Sequence, residues 1–169
     1  MLMDKFLKLG LSEEVLKSLV GLGIEEPTDI QEKAIPEILN GKNVIGKAET
    51  GTGKTLAYLL PIIEKIDDSK NEMQAIILSP THELGVQINN VLNDLKRGLG
   101  KKITSTTLVG SGNIKRQMEK LKNKPHILVG TTGRILELIN KKKITTNTIK
   151  TIVIDEGDKL LDFINIKDV

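Results

Sequence analysis

"NVIGKAETGTGKTLAYLL" (43–60) is the stretch on which the reading of this 169-residue chain turns. Val44 and Ile45 sit in a short apolar run, and an apolar segment of helical character follows Lys54. Between them, "AETGTGKT" (48–55) carries Gly51 and Gly53. A glycine turn leading from a strand into a helix lets backbone amides face one point, and the helix N-terminus adds a favourable dipole. Such a loop suits a chain of phosphates. Lys54 is placed to neutralise the β- and γ-phosphates, and the Thr55 hydroxyl is placed to ligand Mg2+. The general pattern has Gly where this chain has Ala48. The spacing implies a nucleoside triphosphate site.

A phosphate site of this kind needs a carboxylate at the end of a neighbouring strand to hold the water shell of the metal. "TIVIDEGD" (151–158) supplies one: Asp155 closes a four-residue apolar run, and Glu156 follows. A carboxylate beside the metal ligand can orient and deprotonate the water that attacks the γ-phosphate. Alone, the segment reads as an acidic loop after a strand; about a hundred residues beyond a phosphate loop, it reads as that carboxylate pair.

The rest of the chain fits the same architecture. "NVIGKA" (43–48), "AIILSP" (75–80), "ITSTTLVG" (103–110), "HILVGT" (126–131) and "TIVIDE" (151–156) are short and mostly rich in β-branched residues, as strands buried on both faces are. Leu84, Ile88, Leu92 and Leu95 repeat at helical spacing, as do Ile114, Met118 and Leu121. The alternation predicts an α/β fold, a parallel sheet with helices on both faces. The first forty residues stand apart as two helices. Ser12 caps the first, which ends at Gly21 or Gly23; the second begins at "PTDIQ" and stops near Asn40-Gly41, with Pro36 expected to kink or split it.

Composition narrows the function. At 38% hydrophobic residues the chain buries one sizeable core, and no apolar run is long enough to span a membrane. No signal peptide is visible. Cysteine is absent, which excludes disulfides and thiolate metal sites and is compatible with a cytoplasmic location. The net charge is +3, with basic groups at Lys101-Lys102, Lys115-Arg116, Lys120-Lys122-Lys124 and Lys141-Lys142-Lys143. These read either as solvated helix ends and loops or as a surface for a polyanion. Aromatic residues are limited to Phe6, Tyr58 and Phe163, so no base-stacking platform is available. Any nucleic acid must be held mainly by its backbone.

Taken in order, the motifs resemble those of the DEAD-box ATP-dependent RNA helicases. "GIEEPTDIQ" is similar to the Q motif, "AETGTGKT" to motif I, "PTHELG" to motif Ia, "VGSGN" to the glycine motif, "TTGR" to motif Ib and "DEGD" to motif II. Phe6, seventeen residues before Gly23, resembles the isolated upstream aromatic of the family. The resemblance covers the whole chain as an N-terminal RecA-like P-loop NTPase domain: Q-motif helices over 1–41, then a P-loop core through motif II over 42–169. It implies that Gln31 reads the adenine edge, with Phe6 near the base and Thr28 holding the loop. Spacing alone offers another role, because Thr28-x-x-Gln31 is also a capping box. Both hold if Gln31 uses one end of its amide for each.

The resemblance further implies ATP and Mg2+ as cofactors, with Thr50, Gly51, Thr52, Gly53, Lys54 and Thr55 around the phosphates. Thr55 and, mainly through water, Asp155 would hold the metal, and Lys54, Asp155 and Glu156 would act in catalysis. For RNA, single-stranded or duplex and held by its backbone, the matching positions are Pro80, Thr81, His82, Gly110, Gly112, Thr131, Gly133 and Arg134. Contacts of that type carry no sequence code.

Several positions depart from the family pattern. His82 stands for Arg, Gly85 for Ala, Thr132 for Pro and Gly157 for the Ala of Asp-Glu-Ala-Asp, and the paired glycines become Gly110-Ser111-Gly112. The sequence shown ends soon after motif II, so the resemblance implies an incomplete C-terminus, without the next strand and the second RecA-like domain, and doubtful turnover alone. Two function classes follow: an RNA helicase ATP-binding domain, or a non-catalytic nucleotide- or RNA-binding fragment acting as a regulator.

Overall fold

The computed structural model describes residues 4–49 and 51–161. They fall into two compact units, one within Met1–Ile66 and Leu92–Lys102, the other within Asp67–Val91 and Ile103–Val169.

The first unit is helical. Helices α1 (Asp4–Lys8), α2 (Glu13–Val20), α3 (Asp29–Leu39) and α4 (Lys54–Lys65) surround a core that includes Phe6, Leu19, Ile35, Leu60 and Ile63, none of them exposed. Ser12 accepts from the Val15 amide and so caps α2, as its sequence predicts. The Glu64 carboxylate on α4 accepts from both the amide and the hydroxyl of Ser12, at 2.9 Å each, which fixes the start of α2. Two details differ from the sequence reading. The short helix α1 precedes the capped one, and α3 continues as one helix through Pro36 to Leu39. The proline ring removes a single internal donor, and the packing of α3 along α4 outweighs that loss.

A third difference is larger. Residues 43–49 form no strand; Val44 and Ile45 are exposed, Ile45 fully. A parallel strand exists only through ladder bonds to a neighbour, and composition cannot supply that neighbour.

The second unit holds the sheet. Strands β1 (Ala75–Leu78), β2 (Ser105–Leu108), β3 (Ile127–Gly130) and β4 (Thr151–Ile154) are all parallel, in the order β2-β3-β1-β4. Their register places Ile76 between Leu128 and Ile152. On one face Ile76, Leu78, Leu108 and Leu128 meet Leu121 from α6 (Ile114–Leu121) and Ile135 and Leu138 from α7 (Thr132–Asn140). On the other face the first half of α5 (His82–Gly98) approaches β2, where Ser105 donates to Asn89 at 2.8 Å. The four apolar runs from 75 onwards are thus strands, with helices on both faces. Beyond β4 lies the short helix α8 (Gly157–Leu160), and Ile152 and Ile154 remain exposed at this margin of the sheet.

Candidate nucleotide and nucleic-acid sites

The phosphate loop is built in the first unit. Gly51 and Gly53 have φ of +83° and +90°, the left-handed region that favours glycine, and α4 starts at the next residue, Lys54. Ala48 is not in that region, so alanine serves there in place of the glycine of the general pattern. The Lys54 ammonium donates to the Ala48 carbonyl at 2.6 Å and the Thr52 hydroxyl to the Glu49 carbonyl at 2.7 Å, so the loop is curled and internally bonded. Thr55 is half-buried in the first turn of α4. Thr50 lies outside the described residues.

Gln31 is joined to this loop. Its side chain is buried; Oε1 accepts from the Thr28 amide at 3.1 Å, and Nε2 donates to the Gly53 carbonyl at 3.0 Å. The capping-box bond and the loop bond coexist. One proton of the amide nitrogen is left for another acceptor. Phe6 is fully buried in α1 and offers no open aromatic face.

The second unit gathers the remaining candidates at the carboxyl ends of its parallel strands, where ligands of open α/β sheets bind. Pro80, Thr81 and His82 follow β1, Gly110 and Gly112 follow β2, Thr131, Gly133 and Arg134 follow β3, and Asp155 and Glu156 follow β4. Thr81 caps α5 by accepting from the Leu84 amide at 3.2 Å, and Ser79 N–H donates to the Gly130 carbonyl at 2.9 Å. The His82 imidazole meets the Ser111 hydroxyl at 2.8 Å, joining the first two loops.

Arg134 joins the second and third loops. Its guanidinium donates to the carbonyls of Gly110 at 2.8 Å and Gly112 at 3.2 Å and to Gln117 Oε1 at 2.9 Å, and it pairs with Glu137 at 3.1 Å. Gln117 in turn donates to the Val109 carbonyl at 2.9 Å, and a methyl on Gly112 would collide with the Gln117 amide. The Arg134 side chain as a whole is 9% exposed. It holds the shape of the glycine loop. Sequence reasoning named Ser111 only as a departure within the glycine motif and missed Gln117. The signal for Gln117 was its position, since it shares the buried stripe of Ile114, Met118 and Leu121.

At the end of β4, Asp155 Oδ1 accepts from the Glu156 amide at 2.9 Å, and Glu156 has φ of +49°. A non-glycine residue in that region stores strain, a feature that concentrates at functional sites. The Glu156 carboxylate accepts from Lys159 Nζ at 2.7 Å, and this bond, with the carboxylate charge, raises the Lys159 ammonium above its usual range. The phosphate-loop group belongs to the first unit and these carboxylates to the second.

The DEAD/DEAH box helicase family profile matches residues 28–168. The chain is 43% identical to the DEAD-box ATP-dependent RNA helicase CshA of Bacillus cereus over 99% of its length and 31% of that protein's. It is 48% identical to the probable ATP-dependent RNA helicase YfmL of Bacillus subtilis over 82% of its length and 36% of that protein's. The chain thus spans about a third of the length of these curated relatives. Among solved structures, a DEAD box protein from the hyperthermophile Methanococcus jannaschii superposes with a TM-score of 0.85 at 37% identity, covering 94% of this chain and 43% of that one. Dbp5 of S. cerevisiae bound to RNA and ADP BeF3 gives 0.82 at 34% identity, covering 93% and 39%. The ordered motifs, the RecA-like sheet and these matches agree, and the chain belongs to the DEAD/DEAH box helicase family.

Proposed function

We propose that this chain is the N-terminal ATP-binding unit of a cytoplasmic ATP-dependent RNA helicase, which couples ATP hydrolysis to RNA unwinding or remodelling. The observation that carries the reading is the glycine turn at Gly51 and Gly53 opening into α4 at Lys54, with Gln31 hydrogen-bonded to its last residue. The curated relatives named above carry the same activity in their names.

In this reading the loop amides and Lys54 bind the phosphates. A phosphate oxygen, carrying charge, is a stronger acceptor than the Ala48 carbonyl that holds the ammonium here. Gln31 offers its remaining amide proton, and its oxygen, to the adenine edge. Mg2+ bound with the nucleotide would neutralise charge on the transferring phosphoryl group. The Thr55 hydroxyl and the Asp155 carboxylate are each hard oxygen donors, the kind of ligand that ion takes. Glu156 orients and deprotonates the attacking water once it exchanges Lys159 for that water. The loops after β1, β2 and β3 contact RNA phosphates. A second RecA-like domain in the whole protein completes both surfaces and supplies arginines to the γ-phosphate. The retained Lys54, Thr55, Asp155 and Glu156 argue against a purely regulatory fragment.

The test is Mg2+-dependent binding of a fluorescent ATP analogue to the chain and its Lys54→Ala variant. RNA-stimulated turnover is then compared with and without an added C-terminal domain. Binding lost in Lys54→Ala, and turnover that needs the added domain and Glu156, is expected. Nucleotide binding indifferent to Lys54 would refute the reading.

A further inference from the structure

His82 and Ser111 are both departures from the family pattern, and they are hydrogen-bonded to each other. Nδ1 of His82 lies 2.8 Å from the Ser111 hydroxyl, although the residues are 29 apart in sequence. Both side chains are exposed. His82 opens α5 directly after β1, and Ser111 is the middle residue of the glycine loop after β2. The bond therefore joins two loops at the carboxyl edge of the sheet.

We propose that Ser111 donates its hydroxyl proton to Nδ1 of His82, which leaves the imidazole proton on Nε2 as a neutral donor to a phosphate oxygen of an RNA backbone. This inference rests on the RNA-binding reading above. In a neutral imidazole one ring nitrogen donates and the other accepts, and the partner of one decides the role of the other. A hydroxyl donor at Nδ1 therefore sets the tautomer and the ring plane together. Ser111 is a positioning residue; His82 makes the contact.

The surroundings favour an anionic partner. Arg134 donates to the carbonyls of Gly110 and Gly112 in the same loop, so these oxygens already have a cationic partner. Lys115 and Arg116, exposed in the first turn of α6, lie within a few residues of Ser111. Glu83, also exposed, is the adjoining carboxylate on α5. A neutral donor differs from a guanidinium in a measurable way. It contributes to affinity and orientation but releases no counterion, so it adds nothing to the salt dependence of binding.

The chain has two histidines, which makes the tautomer directly readable. Long-range 1H–15N correlation spectra of the 15N-labelled chain at about pH 8, where an ordinary imidazole is neutral, are expected to show His82 protonated at Nε2. Ser111→Ala is expected to mix the two tautomers, leave His126 unchanged and weaken binding of a ten-residue oligouridylate roughly three- to tenfold. His82→Ala should weaken it by a similar factor, the double variant no further, and the slope of log affinity against log salt should stay the same in all three. A proton on Nδ1, or independent losses that multiply in the double variant, would overturn the inference while leaving RNA binding intact. A salt slope reduced by about one in His82→Ala would also overturn it, by showing a charged contact. Absence of RNA binding by the parent chain would instead refute the RNA reading on which the phosphate contact depends; the tautomer would still decide the His82–Ser111 pairing.

Discussion

The side-chain amide of Gln31 donates to the carbonyl oxygen of Gly53 at 3.0 Å, while its oxygen accepts from the Thr28 amide at 3.1 Å. One buried side chain thus fastens the start of α3 to the last residue of the phosphate loop. Gln31→Ala is expected to lower stability by about 1–3 kcal/mol, since buried groups lose their partners. It should also weaken ATP binding and narrow the gap between ATP and GTP. Gln31→Glu keeps the acceptor for Thr28 but turns a carboxylate towards the Gly53 carbonyl, so it should impair nucleotide binding more than it impairs the helix. Nucleotide titrations and urea unfolding separate the two effects; equal losses for ATP and GTP would show that Gln31 is only a cap.

Gly53 and Gly51 share a positive φ but differ in surroundings. A methyl on Gly53 would collide with the Gln31 amide and crowd the Thr28 side chain, whereas one on Gly51 meets nothing within 4 Å. Gly51→Ala should show only the strain of the left-handed backbone, about 1–2 kcal/mol. Gly53→Ala should add the loss of the Gln31 bond, roughly 0.5–1.5 kcal/mol more. Unfolding midpoints of the two variants, measured side by side, test the ordering.

Arg134 shapes a loop by bonding its carbonyls, so its role is separable from its charge. Arg134→Ala is expected to weaken RNA binding without changing the salt slope, because no phosphate contact is removed. Lys cannot reproduce the planar fork, so Arg134→Lys should recover little. A slope lower by about one in Arg134→Ala would place the guanidinium on a phosphate instead. The parent should bind unrelated single strands alike and lose affinity steeply with salt.

His126 is buried at the start of β3, and its ring spans two backbone groups. Nδ1 accepts from the Thr104 amide at 3.0 Å, so Nε2 carries the proton and donates to the Lys70 carbonyl at 3.1 Å. His126→Phe would leave both groups without this partner and should cost about 1–3 kcal/mol, seen as a lower urea midpoint with an unchanged m-value. Nucleotide binding should be unaffected, because the residue belongs to the sheet's framework.

The sequence by itself determined the elements whose character is local. Four runs rich in apolar and β-branched residues became strands, β1 and β3 buried along their whole length and β2 and β4 only in part, and Ser12 capped α2 because its hydroxyl satisfies an amide three residues on. The phosphate loop was legible for the same reason: its glycines, lysine and threonine act at fixed offsets along the chain. Tertiary structure decided what depends on partners distant in sequence. Residues 43–49 have strand composition, yet form no strand without ladder bonds to a neighbour. Phe6 lies in the core of its unit, and Arg134 directs its donors onto Gly110 and Gly112, placements that no spacing along the chain announces. Residue type names the bonds a side chain can make. Which of them it makes is settled by the loops and strands that folding brings within about 3 Å of it.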